Sequence, residues 1–131
     1  MKRSLKGRDL LSIDDLSIEE METIFNLTRD FKVASGISKY EKILEGKTLG
    51  LLFEWASTRT RLGFEVAMAQ LGGHAIYMPI EATMASMGEP LKDTSRVLSR
   101  LVDAIAMRPY KHEAVAELAK YADVPVINCS S

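Results

Sequence analysis

KTLGLLFEWASTRTRLGFEVAMAQLGGHAIYMPI (Lys47–Ile80) decides how the rest of this chain is read. Its first nine residues, Lys47–Trp55, form a short and nearly continuous apolar run, the pattern of a strand buried on both faces. From Ser57 onward the period changes. Leu62, Val66, Ala67, Ala69 and Leu71 keep an apolar stripe at helical spacing, and Gly72–Gly73 ends it. HAIYMPI (His74–Ile80) then reads as a second strand. A strand, a helix and a second strand within so few residues predict a parallel pair joined by a crossover helix.

The alternation continues toward the C-terminus. EATMASMGEP (Glu81–Pro90) is rich in breakers and reads as a loop, LKDTSRVLSRL as a helix and DAIAMR as a third strand. KHEAVAELAKYA reads as another helix and VPVIN (Val124–Asn128) as a fourth strand. The expected fold class is therefore α/β: a three-layer sandwich with a four-stranded parallel sheet and helices on both faces. Right-handed crossovers would bring the C-terminal ends of all strands to one edge, where ligands of such sheets bind. Before Lys47, DLSIEEMETIFNLTRDFK predicts a helix. Ser17 and Glu20 form a capping box, with Ile18, Met21, Ile24, Phe25 and Leu27 at helical spacing. Gly36 and the polar SGISK mark a loop or helix end. Ile24, Phe25 and Phe31 are expected to form an exposed apolar patch.

Bulk composition narrows the function classes. The 131 residues fit one domain, 1–131, and are 47% hydrophobic and 27% charged, ordinary values for a globular chain. The formal net charge is −1, which speaks against general nucleic-acid binding and makes any anion chemistry local. No apolar run approaches the roughly 18 residues of a membrane span, so no membrane partner is expected. One cysteine, Cys129, cannot form an internal disulfide, and the basic N-terminus lacks an apolar signal core. Both features suit a cytoplasmic setting.

Ser57 lies between a predicted strand and a predicted helix. Its hydroxyl can cap the helix, and the backbone N–H groups of Thr58, Arg59 and Thr60 would point to the same spot. Thr58 and Thr60 add hydroxyls, and Arg59 adds a planar fork that fits phosphate oxygens. Cations in a helix's first turn oppose its dipole by about 0.3–1 kcal/mol when unpaired, so Arg59 and Arg61 favour a bound anion. The competing reading is a serine-capped surface helix with two solvated arginines. There is neither a P-loop nor a G-x-G-x-x-G pattern, so a phosphate-sized dianion suits the site better than a nucleotide. His74 and His112 have no partner at metal-ligand spacing, and no metal site is expected. Asp14–Asp15 read as helix N-terminal charge, and Cys129 as a small buried residue at a strand end. A phospho-acceptor receiver domain alternates similarly, but it needs acidic strand ends where this chain has Glu54, Arg108 and Asn128.

FEWASTRTRLGFEVAMAQLGGHAIYM resembles the carbamoyl-phosphate signature of the aspartate/ornithine carbamoyltransferases. The resemblance extends through LKGRDLLSIDDLS at the start and GEPLKDTSRVLSRLVDAIAMRPYKHEAVAELAKYADVPVIN at the end, and it favours the ornithine branch. It implies a domain that binds carbamoyl phosphate, with Ser57, Thr58, Arg59 and Thr60 on the phosphate and Arg108 reaching both phosphate and carbonyl oxygen. Arg59 and Arg108 would carry the electrostatic catalysis, with no cofactor. The resemblance further implies a homotrimer at full length, a cytoplasmic role in arginine biosynthesis, and transfer of the carbamoyl group to ornithine to give citrulline and phosphate.

Several departures from the family's pattern stand out. The family continues past VPVIN into an H-P-x-Q loop and an amino-acid-binding half. Here the chain reads VINCSS, so these residues alone are expected to show little or no transferase activity. Met84 stands where the family's loop usually sends a glutamine into the neighbouring subunit's site; Met84 and Met87 are gap-fillers or an exposed patch. WAS precedes the motif, LGF follows it, and Pro109 succeeds Arg108 where threonine is common. A non-catalytic phosphate or carbamoyl-phosphate binding module and a trimerising structural domain remain the alternatives.

Overall fold

The computed structural model describes residues 4–33 and 39–130. The loop expected at Gly36 and SGISK falls largely outside the described residues. Helix α1 spans Ile18–Lys32 and strand β1 Thr48–Phe53, followed by α2 (Thr58–Gln70) and β2 (His74–Pro79). Then come α3 (Leu91–Ser99), β3 (Ala104–Arg108), α4 (His112–Tyr121) and β4 (Val126–Asn128). The strands form one sheet in the order β2-β1-β3-β4, and every pair is parallel. The expected α/β architecture is borne out.

Strand side chains alternate between two apolar layers, which is why β1 carries no polar side chain from Leu49 to Phe53. Leu52, Ile105, Met107 and Val126 face Leu98 of α3 and Val115 and Leu118 of α4. Leu49, Leu51, Phe53 and Ala106 face Met68 and Phe64 of α2. Ser95, fully buried on α3, donates its hydroxyl proton to Leu118 O of α4 at 2.7 Å, so the pair of helices is tied without an unsatisfied polar group. Glycine is required where α2 turns into β2. Gly72 has φ +84°, and a Cβ there would lie 2.7 Å from the Glu41 carbonyl oxygen.

Two local expectations are corrected and a third is refined. The packed face of α2 is Phe64, Met68 and Leu71, with Arg61 and Glu65 half-buried; Leu62, Val66, Ala67 and Ala69 of the expected stripe are exposed. Apolar spacing alone misassigned the face, because the sheet accepts the bulkier Phe64 and Met68. On α1, Phe25 is exposed at 64% but Ile24 and Phe31 are half-buried, since Phe31 packs edge-on against Tyr40 at 4.9 Å. Asp14–Asp15 precede α1, as the sequence suggests, but their charge is not at its N-terminus. They belong to a separate 3-10 turn, Ile13–Asp15, where the Asp15 carboxylate accepts from the N–H groups of Leu11 (2.8 Å) and Ser12 (2.9 Å). Those two bonds hold its carboxyl below the usual carboxylate range.

The order of the strands creates a candidate site at one edge. From β1 the chain crosses outward to β2, whereas β3 and β4 lie on the other side of β1. The C-terminal ends of β1 and β3 therefore flank the point where crossovers diverge, the place where open parallel sheets bind ligands. Phe53 and Arg108 are paired there.

Candidate functional site

Ser57 is the N-cap of α2, with extended backbone angles (φ −153°, ψ 106°), and its Oγ accepts from the N–H of Thr60 at 3.4 Å. The same hydroxyl bonds Thr60 Oγ1 at 2.9 Å. Arg108, at the end of β3, donates from Nη1 to Thr60 Oγ1 at 3.2 Å. The structure thus brings Ser57, Thr60 and Arg108 into one hydrogen-bonded chain across the divergence point. An arginine has no acceptor atoms, so Thr60 accepts from it, leaving the threonine proton available to an oxyanion.

Arg108 is 9% exposed, and its Nε has no hydrogen-bond partner among the described residues. A buried guanidinium with no carboxylate partner among the described residues, and with an idle donor, is costly unless something anionic completes it. Thr58 and Arg59 occupy the first turn of α2 and are exposed. Arg59 makes no side-chain hydrogen bond or ion pair with any described residue, whereas Arg61 lies 3.7 Å over the Tyr77 ring and bonds Glu65 at 3.4 Å. One of the two first-turn arginines is therefore committed to packing against β2, and only Arg59 is placed at the helix end with its fork unspent. An anion at the α2 N-terminus would meet the helix dipole, unpaired backbone donors, the hydroxyls of Thr58 and Thr60, and the forks of Arg59 and Arg108.

The remaining candidates lie elsewhere. Met84 stands on a 3-10 turn, Met84–Met87, with Met84 60% and Met87 80% exposed; they are a surface patch and not gap-fillers. His74 opens β2 on the surface, and His112 opens α4 and is exposed. Among the described residues no cluster of His, Cys, Asp or Glu could hold a metal ion, and no helix is long and apolar enough to cross a membrane.

Cys129 is half-buried, one residue past β4. Burial pushes its thiol up to about 11, partly offset by the Arg108 guanidinium. It is neutral at pH 7. Because the folded value lies above the usual 9.0, ionisation favours the unfolded chain, and stability falls as pH rises past about 9. Between these values Ellman's reagent is expected to modify the native chain about tenfold more slowly than the denatured chain. Equal rates would contradict the buried, protonated thiol.

Trp55, whose significance the sequence does not reveal, completes the site. Its ring lies 3.6 Å from the Arg108 guanidinium carbon, and its Nε1–H donates to Pro109 O at 3.1 Å. The only sequence signal was its presence just before the capping serine.

This fold and this edge define a class: a doubly wound α/β domain with a serine-capped helix terminus bonded to a buried arginine at the divergence point. A family profile for the aspartate/ornithine carbamoyltransferase, carbamoyl-P binding domain, matches residues 8–131, and the chain belongs to that family. It is 54% identical over 125 residues to an ornithine carbamoyltransferase of Pyrococcus horikoshii, an alignment covering 95% of this chain and 39% of that one. The solved ornithine carbamoyltransferase of Pyrococcus furiosus superposes with a TM-score of 0.91 at 52% identity, over 99% of this chain and 42% of that one. An aspartate transcarbamoylase from Trypanosoma cruzi, solved in complex with carbamoyl phosphate and aspartate, matches at 28% identity and a TM-score of 0.87. That match covers 97% of this chain and 42% of that one. The chain thus spans about two-fifths of the length of these relatives.

Proposed function

We propose that residues 1–131 are the carbamoyl-phosphate-binding domain, the N-terminal half, of an ornithine carbamoyltransferase. In this reading Ser57, Thr58, Arg59 and Thr60 hold the phosphate, and Arg108 spans phosphate and carbonyl oxygen. The observation that carries it is Arg108: nine-tenths buried, its Nη1 bonded to Thr60 in the first turn of α2, and its Nε without a partner among the described residues. Family membership supplies the carbamoyl group, and the ornithine branch is supported by the 54% and 52% identities to proteins of that name.

The chemistry follows from the charges. In the complete enzyme the δ-amine of ornithine attacks the carbamoyl carbon, the bond from that carbon to the phosphate oxygen breaks, and one amine proton passes to the departing phosphate, leaving citrulline and hydrogen phosphate. Negative charge grows on the carbonyl oxygen and on the departing phosphate, where Arg108 and the α2 terminus already direct their donors. Preorganised donors of this kind are each worth about 2.7–4 kcal/mol in the transition state. No protein nucleophile is needed, since holding amine and carbamoyl carbon together supplies much of the remainder. The amine site lies in the part of the relatives that these residues do not span, so this chain alone is expected to bind but not turn over. A cytoplasmic setting, a role in arginine biosynthesis and a homotrimeric assembly belong to the same proposal. The trimer is supported by the apolar side chains left exposed at Leu62, Val66, Ile76, Met84 and Met87.

Titration calorimetry with carbamoyl phosphate and with phosphate tests the reading. The native chain is expected to bind both saturably, and Arg59→Ala to weaken binding by about tenfold or more, the cost of one charge-assisted contact. Absence of saturable heat from the native chain would overturn the cradle, and unchanged binding by the variant would remove Arg59 from it.

A further inference from the structure

Arg108 must meet two demands that oppose each other. To act on an anion its fork must be held still and kept from water, but every hydrogen bond that would fix it within the protein consumes a donor the anion needs. Trp55 resolves the conflict. Its ring covers the face of the guanidinium at 3.6 Å, and a cation–π contact acts on that face while hydrogen bonds form in the plane. The stack therefore immobilises and desolvates the group without using any of its N–H donors. Among the described residues, the only hydrogen-bond partner of the guanidinium is Thr60 Oγ1.

The ring is itself anchored. Trp55 Nε1–H donates to Pro109 O at 3.1 Å, so the tryptophan beyond the end of β1 grips the backbone just after β3. The Glu54 N–H adds a second tie by donating to Arg108 O at 2.9 Å. Trp55 is still 40% exposed, so it is not a core residue whose main effect is burial. We infer that Trp55 is a positioning residue for Arg108: its indole holds the guanidinium plane so that the free donors face the α2 N-terminus. The inference rests on the anion-site reading above.

The test uses inorganic phosphate as probe on the native chain, Trp55→Ala and Trp55→Phe. Phosphate affinity is read by calorimetry, and the Arg108 Nε–H resonance is followed by nuclear magnetic resonance. The ring current of Trp55 is expected to displace that resonance in the native chain, and Trp55→Ala to return it toward an ordinary arginine position. Phosphate binding is expected to weaken about tenfold in Trp55→Ala and to recover to within about threefold of native in Trp55→Phe, which keeps an aromatic face but loses the indole N–H. Native affinity in Trp55→Ala would overturn the positioning role while leaving the anion site intact. Binding by Trp55→Phe as weak as by Trp55→Ala would overturn stacking as its basis. No phosphate binding by the native chain would overturn the anion site and this inference with it.

Discussion

Arg108→Met is expected to weaken carbamoyl phosphate and phosphate binding by about 100-fold or more, with the melting temperature of the unliganded chain unchanged or raised. A guanidinium fork on an oxyanion makes two charge-assisted hydrogen bonds, each contributing about 1.5–3 kcal/mol, and a tenfold change in affinity is 1.4 kcal/mol. The stability half of the prediction discriminates. Arg108 is buried, its hydrogen-bond partner is the neutral Thr60 hydroxyl, and its Nε bonds nothing among the described residues. Methionine has similar length, fills the space against Trp55, and removes a charge that burial disfavours. A residue kept for structure would show the reverse, with lost stability and binding unaffected. Calorimetric titration and thermal melting with and without phosphate separate the two, since only a chain that binds the anion is stabilised by it.

Phe53→Ala is expected to cost about 3–5 kcal/mol of folding free energy in urea denaturation, the range for a buried aromatic truncated to alanine. Phe53 is 1% exposed, packs against α2 in the layer holding Leu51 and Met68, and meets Tyr77 edge-on at 5.4 Å. Tyr77 in turn carries Arg61 on its ring. A cavity at Phe53 therefore loosens the contact that turns Arg61 away from the α2 terminus, as well as the strand end that presents Trp55. For a domain whose whole stability is about 5–15 kcal/mol, such a loss leaves a substantial unfolded fraction at physiological temperature. A change below about 1 kcal/mol would show that the layer collapses around the gap.

The sequence announced what depends on near neighbours and concealed what depends on strand pairing. The β1 run, the serine cap of α2 and the glycine stop at Gly72 are local features, and the structure places them where periodicity and capping rules put them. Arg108 at a strand end was legible once the strand was. The fate of Arg61 was not, because it is decided by the β1–β2 register that sets Tyr77 opposite Leu51. Trp55 was silent for the same reason: its partners, Arg108 and Pro109, arrive through the pairing of β1 with β3. The packed face of α2 escaped because Leu62 and Val66 match Phe64 and Met68 in apolar character, and only the sheet distinguishes them.

The central position of β1 has a consequence for how the protein is made. The ribosome delivers TLGLLF before either of its neighbours, and its two hydrogen-bonding edges are closed only when β2 and then β3 have emerged. At about 5–20 residues per second, a bare strand with no charge and no proline waits several seconds for Arg108 to leave the exit tunnel. Nascent chains whose emerged part ends between Phe53 and Arg108 should therefore recruit chaperones and aggregate, and those in which β4 has also left the tunnel should not.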